Sequence, residues 1–176
     1  RLRAVAQNII SACNIDENAA LANMLLNNDS HYSLQHMLNT AVLATIYAKR
    51  RDWLEHDIEA LICAALTMNI SVAALLDTLV KNQSQLTPME NWSIQSHPKL
   101  SQKLLREKNI QDRDWLNAVL QHHELSDGNG SHEGQGESIS KHATVLGLTD
   151  RYCTLLAANS SRHHDLTTAF IDLTVH

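Results

Sequence analysis

Apolar residues in this chain return every three or four positions over most of its length. Leu34, Leu38, Ala41, Val42, Thr45 and Ile46 fall on one helical face, and Ile58, Leu61, Ile62, Ala65 and Leu66 on another. A period of 3.6 builds amphipathic helices, whereas half-buried strands need strict alternation. Alternation of β-branched residues is almost absent, so the pattern predicts an all-α fold. The punctuation agrees. Asp16 can cap a helix over 17–27, and Thr87-Pro88-Met89-Glu90 reads as a capping box with Thr87 at the N-cap, proline at N1 and Glu90 at N3. His97-Pro98 closes that helix, because a residue before proline avoids the α region, and Pro98 opens the next at N1. Further helices are predicted over 2–13, 112–122, 140–158 and 165–174. Lys49, Arg50 and Arg51 read as a solvated helix C-terminus, where cations complement the dipole. One long loop, 124–139, is marked by its length as a functional segment.

With 176 residues and 44% apolar content, the chain suits a single compact helical bundle. Its net charge is −5 and its Lys and Arg are dispersed, so no basic stripe exists to release counterions from a nucleic-acid polymer. No apolar run approaches the roughly 20 residues that cross a bilayer. The start, RLRAVAQNII, lacks the h-region of a signal peptide. A cytoplasmic protein without membrane partners is expected. The chain begins at Arg1 inside a helical pattern, which suggests a piece of a longer protein: N-terminal helices over 1–30 joining an upstream receiver or sensor domain, then the main domain over 31–176. Leu2, Val5, Ile9 and Ile10 would give the first helix a domain contact, a homodimer contact or ordinary core packing. Cys13, Cys63 and Cys153 are odd in number and far apart, which fits buried small hydrophobes better than a disulfide or zinc clip.

Eleven histidines point to metal or acid–base chemistry without fixing a site. The stretch QHHELSDGNG, 121–130, is the most suggestive. On a regular helix His122 and His123 diverge by about 100°; at a helix end, where the backbone leaves helical geometry, both rings can converge. A solvated histidine pair is the plain alternative. His36 lies on an apolar face, His97 precedes a proline, and Asp150 sits among Val145, Leu146, Leu148 and Leu155. Taken singly, each reads as a satisfied buried polar group at least as readily as a ligand. His132, His142, His163 and His164 form no constellation. Trp53, Trp92 and Trp115 fall at apolar helical spacing, as core or interface residues.

Taken together, the order is more specific. His36, AAL at 64–66, LTP at 86–88, HP at 97–98, HHE at 122–124, DGNG at 127–130 and LGLTDRY at 146–152 resemble the HD-GYP family, bacterial cyclic di-GMP phosphodiesterases of the HD phosphohydrolase superfamily. The resemblance runs from His36 to about residue 158 and implies an HD-superfamily helical bundle. It also implies that His97, His122 and His123 ligate one metal, that His36 and Asp150 belong to a second, and that Glu124, Asp127, Gly128 and Gly130 form the adjoining loop. The departures are as informative. Met68 and Asn69 stand where the family has its His-Asp pair, Ser71 and Val72 where it has glycine and lysine, and Gly130-Ser131-His132 where it has Gly-Tyr-Pro. A carboxylate that some members place one turn before the first histidine is Tyr32. Two-metal chemistry needs a bridging carboxylate to offset cation repulsion; Asn69 has the shape without the charge, and a thioether poorly suits iron or manganese. The resemblance with these losses implies a catalytically impaired signalling domain that works through partner or domain contacts. It would hold no metal or one divalent ion (iron, manganese or zinc) on three imidazoles, with His36 bonded to Asp150. The alternatives are a single-metal cyclic di-GMP phosphodiesterase and a non-hydrolysing receptor for a cyclic dinucleotide.

Overall fold

The computed structural model describes residues 1–26, 31–82, 85–124 and 138–159. Among them are nine helices and no strand: α1 (Leu2–Ile15), α2 (Glu17–Leu26), α3 (Tyr32–Lys49), α4 (Glu55–Ala65), α5 (Ala73–Asn82), α6 (Pro88–Gln95), α7 (His97–Glu107), α8 (Arg113–Gln121) and α9 (Lys141–Asn159). The all-α expectation holds. The helix foreseen over 165–174, the loop residues Asp127, Gly128 and Gly130, and His132, His163 and His164 lie outside the described residues.

Local chemistry sets most of the boundaries. The amides of Asn18 and Ala19 donate to Asp16 Oδ1, at 2.9 and 3.0 Å, and start α2. The Thr87–Glu90 capping box starts α6, and the Trp115 amide donates to Asp112 Oδ1 at the start of α8. The register at His97-Pro98 differs by one residue from expectation. Ser96 serves as the C-cap of α6 and the N-cap of α7, so His97, not Pro98, is the first residue of α7. The His97 ring secures this register by donating from Nδ1 to the Ile94 carbonyl of α6 at 2.6 Å. Helix α5 was not foreseen; its buried Leu76 and Leu79 supply too few apolar turns to stand out.

Helices α3 and α4 form the centre. α9 packs against both, α8 against α4 and α9, α7 against α8, α1 across α3 and α4, α2 against α1 and α3, and α5 against α3. Neighbours on several sides explain why α3 buries His36, Thr40, Ala44 and Ala48 as well as Ala41, Thr45 and Ile46 of the expected face, while Leu34, expected on that face, is 46% exposed. Small residues let helix axes approach and leave larger ones at the margins. Burying threonine costs little because each hydroxyl returns to its own helix: Thr40 donates to the His36 carbonyl, Thr45 to Ala41 and Thr154 to Asp150. Trp115 joins the core and satisfies its indole N–H on Thr67 Oγ1 at 2.8 Å; Trp53 packs at the core margin and Trp92 is exposed.

Ala6 and Ile10 of α1 belong to the main core, with Ile9 packed against it, while Leu2 and Val5 are exposed. The cationic cluster after α3 is not simply a solvated end. Lys49 donates to the Cys13 carbonyl at 3.0 Å, Arg50 pairs with Glu17, and Arg51 lies over the Tyr47 ring. All three cysteines are buried and free. No helix among the described residues is long and apolar enough to cross a membrane.

The end of α8 and α9 approach closely at one glycine. A Cβ built on Gly147 would meet the His122 carbonyl oxygen at 2.2 Å, and a backbone atom cannot swing aside. Glycine to alanine within a helix ordinarily stabilises by about 1 kcal/mol. At this position the clash reverses the sign: Gly147→Ala should destabilise the domain by about 1–3 kcal/mol. Urea unfolding of this variant beside the exposed-site control Leu148→Ala is the check, and an unchanged or raised midpoint for Gly147→Ala would contradict the packing.

A buried three-histidine cluster as candidate metal centre

Two helix termini bring His97, His122 and His123 together. His97 opens α7; His122 is the C-cap of α8, and His123 follows as the chain leaves helical geometry. The two adjacent rings consequently converge, with centroids 4.0 Å apart, and the His97 centroid lies 5.2 Å from that of His122 and 5.1 Å from that of His123. One ring nitrogen from each residue can be chosen so that all three lie within 4.8 Å of one another.

The hydrogen bonds fix which nitrogens these are. His97 donates from Nδ1 to the Ile94 carbonyl, and His122 donates from Nδ1 to the Val119 carbonyl at 2.8 Å. A neutral imidazole carries one N–H, so both Nε2 atoms are left as lone pairs, and they face each other across 3.2 Å. Between neutral rings of this tautomer that separation is not a hydrogen bond, because neither ring can donate to the other. His123 Nε2 is also buried and has no partner. Converging ring nitrogens, two of them on rings whose Nδ1 is tied to a carbonyl, are what an imidazole-bound cation requires, and three imidazoles with an open fourth position suit a Zn²⁺-like ion.

Electrostatics keep the set neutral. Burial, and then the proximity of His122, push His97 down to about 3. Burial likewise lowers His122, and burial with the two neighbouring rings lowers His123. Neutral imidazole is the ligating form.

His36 and Asp150 adjoin this cluster. His36 Nε2 donates to Asp150 Oδ1 at 2.7 Å, with both side chains buried. Burial alone would raise Asp150, but the His36 hydrogen bond and charge hold it well below the usual carboxylate range. Its charge also acts on His97, His122 and His123, which makes one polar centre of the two groups. Tyr32 stacks on His36 with centroids 5.8 Å apart, and burial beside Asp150 raises its hydroxyl pKa.

Met68 and Asn69 occupy the turn after α4 at 0% and 1% exposure. Met68 is part of the apolar core, and Asn69 Oδ1 is buried without a partner. Val72 packs with Leu76, Leu79 and Ile94 in a smaller apolar cluster. Ser71 ties this turn to α7, donating to the His97 carbonyl at 3.2 Å and lying 2.9 Å from Ser101 Oγ. Glu124 is the last described residue before the loop, and its amide donates to the Gln121 carbonyl.

A second group had no signature in the sequence. His142 of α9 is buried against Trp53, near Asp57 of α4 and Asp114 of α8. No spacing links residues from three separate helices, so only the fold reveals it. Burial disfavours the Asp57 charge, but the Lys141 ammonium bonded to it at 2.6 Å outweighs that and lowers its pKa. Burial lowers His142 in spite of Asp114 and Asp57.

The imidazole shifts set a pH dependence for the metal-free domain. Unfolded histidines titrate near pH 6.5, and the folded values lie lower, so below about pH 6.5 the unfolded chain binds protons that the folded one refuses. Stability is therefore full above that pH and falls as pH drops toward the folded values, about 3 for His97, by up to about 1.4 kcal/mol per pH unit for each group. Asp150, with its depressed pKa, adds a loss that begins only below about pH 4. Urea unfolding with chelator from pH 8 to pH 4 should show the decline setting in near pH 6.5. A flat profile down to pH 5 would contradict the neutral cluster.

A family model described as HD domain matches residues 19–174. No curated protein and no solved structure matches the chain. The matched span contains His36, His97, His122, His123 and Asp150 and all the helices that carry them. By that match, the chain belongs to the HD domain family.

Proposed function

We propose that this HD domain is an HD-GYP-like bacterial signalling module, cytoplasmic and catalytically impaired, that acts through contacts with partner proteins or adjoining domains in cyclic di-GMP-related signalling. HD domains typically bind divalent metals, and metal-dependent phosphohydrolysis is the activity against which the site is compared. One observation carries the proposal: the turn that would supply a bridging carboxylate holds Met68 and Asn69, both fully buried. The two buried aspartates among the described residues are engaged elsewhere, Asp150 with His36 and Asp57 with Lys141. With no carboxylate on that turn to offset the repulsion between two cations, the site favours one ion. The three imidazoles would hold it, and its role would be to pin α7 to the end of α8.

A second reading, a phosphodiesterase running on one metal, is favoured by the open position that three imidazoles leave on such an ion. Cyclic di-GMP incubated with protein loaded with iron, manganese or zinc separates the two. The impaired-domain reading expects metal that is lost in His122→Ala and no nucleotide turnover above the protein-free control. Turnover that disappears in His122→Ala would overturn it in favour of the single-metal enzyme.

A further inference from the structure

The first turns of α4, α8 and α9 meet around His142. Its side chain is 2% exposed, its Nε2 has no hydrogen-bond partner, and that atom lies 3.5 Å from Asp57 Oδ1. One ligand atom from each of His142, Asp57 and Asp114 lies within 4.8 Å of the other two. The 3.5 Å spacing is long for a hydrogen bond. It is close to the edge of a tetrahedron around zinc, since bonds of about 2.0–2.1 Å at the tetrahedral angle put neighbouring ligands about 3.4 Å apart.

We propose that His142, Asp57 and Asp114 form a second divalent-metal site, of zinc type, separate from the three-histidine set. Asp57 divides its carboxylate: Oδ2 takes the Lys141 ammonium at 2.6 Å, and Oδ1 is left toward the ion. Asp114 Oδ1 comes nearest to the other ring nitrogen, 3.9 Å from Nδ1, and at 56% exposure its side chain has the freedom to swing toward Nε2. His56 Nε2 approaches Asp57 Oδ1 at 3.6 Å from the solvent side, and water completes the coordination. The nearby ammonium repels a cation, so the site is weaker than a closed structural zinc site. Asp114 and His122 stand at the two ends of α8, about 12 Å apart along its axis. An ion at this end would clamp the helices that present the histidines at the other. Such a site would bind its ion whether or not the domain turns over a nucleotide.

Zn²⁺ titrated calorimetrically into the full chain at pH 7.5 tests it, with Trp53 as a local reporter because its ring lies 5.1 Å from that of His142. The site predicts zinc binding that survives His122→Ala and weakens at least tenfold in His142→Ala. It also predicts that Cu²⁺ quenches an emission component that is missing in Trp53→Phe. Asp114→Asn, at an exposed position, guards against misfolding of the His142 variant and should weaken the same event severalfold. Lys141→Gln should tighten it, a change that a purely structural Lys141–Asp57 ion pair would not produce. Equal zinc binding in wild type, His142→Ala and Asp114→Asn, with no Trp53-dependent quenching, would overturn the proposal.

Discussion

Three uncharged imidazoles packed ring against ring, two buried and the third partly so, set the terms for the helices around them. Each ring must be held by its remote nitrogen, and the Ile94 and Val119 carbonyls do this for His97 and His122. Carbonyls near helix ends suit this role, because the amide four residues along that engages an interior carbonyl is there displaced or missing. The break between α6 and α7 at Ser96, the end of α8 at Gln121 and the glycine that seats α9 on the His122 carbonyl serve one geometric demand. Gly147 lies three residues before Asp150, so the contact that spaces the two helices also delivers the carboxylate to His36.

The architecture was legible because a helical period survives any tertiary context, and because Asp16 and Thr87 are capping residues with a local mechanism. The convergence of His122 and His123 was readable for a similar reason: a helix terminus is visible in sequence, and its consequence for ring directions follows from geometry. What stayed hidden depends on close approach between distant segments. Nothing along the chain says that α3 buries His36, Thr40, Ala44 and Ala48 more deeply than Leu34, since burial there is decided by which neighbours carry alanine. The same holds for His142, whose partners come from α4 and α8, and for Gly147, whose purpose is a carbonyl on another helix.

Met68 and Asn69 change the character of the centre without changing its shape. A thioether adds apolar contact where an imidazole would add a ligand, and Met68 has been absorbed into the main core with Leu61, Leu146 and their neighbours. Asn69 retains a buried oxygen without a partner, a group that ordinarily carries a desolvation cost of about 1–3 kcal/mol. The turn is nevertheless well anchored, by Ser71 on α7 and by Thr67 on Trp115 of α8. A segment so tightly fixed, yet lacking the charge to bridge two cations, is better suited to holding helices in register than to presenting a nucleophile.

The buried threonines have a mechanical corollary. Thr45, Thr149 and Thr154 bond within their own helices, and α3 and α4 contribute rows of alanine to the core they share, so the contact between α3 and α4 is largely apolar, while across α3 and α9 the Thr40 hydroxyl also pairs with Cys153. Sliding along the apolar contact costs mainly dispersion and packing, the low-friction condition for shear between helices. Across the contact of α3 with α9, the His36–Asp150 hydrogen bond then behaves as a detent, and displacement of one helix along the other would be felt there first.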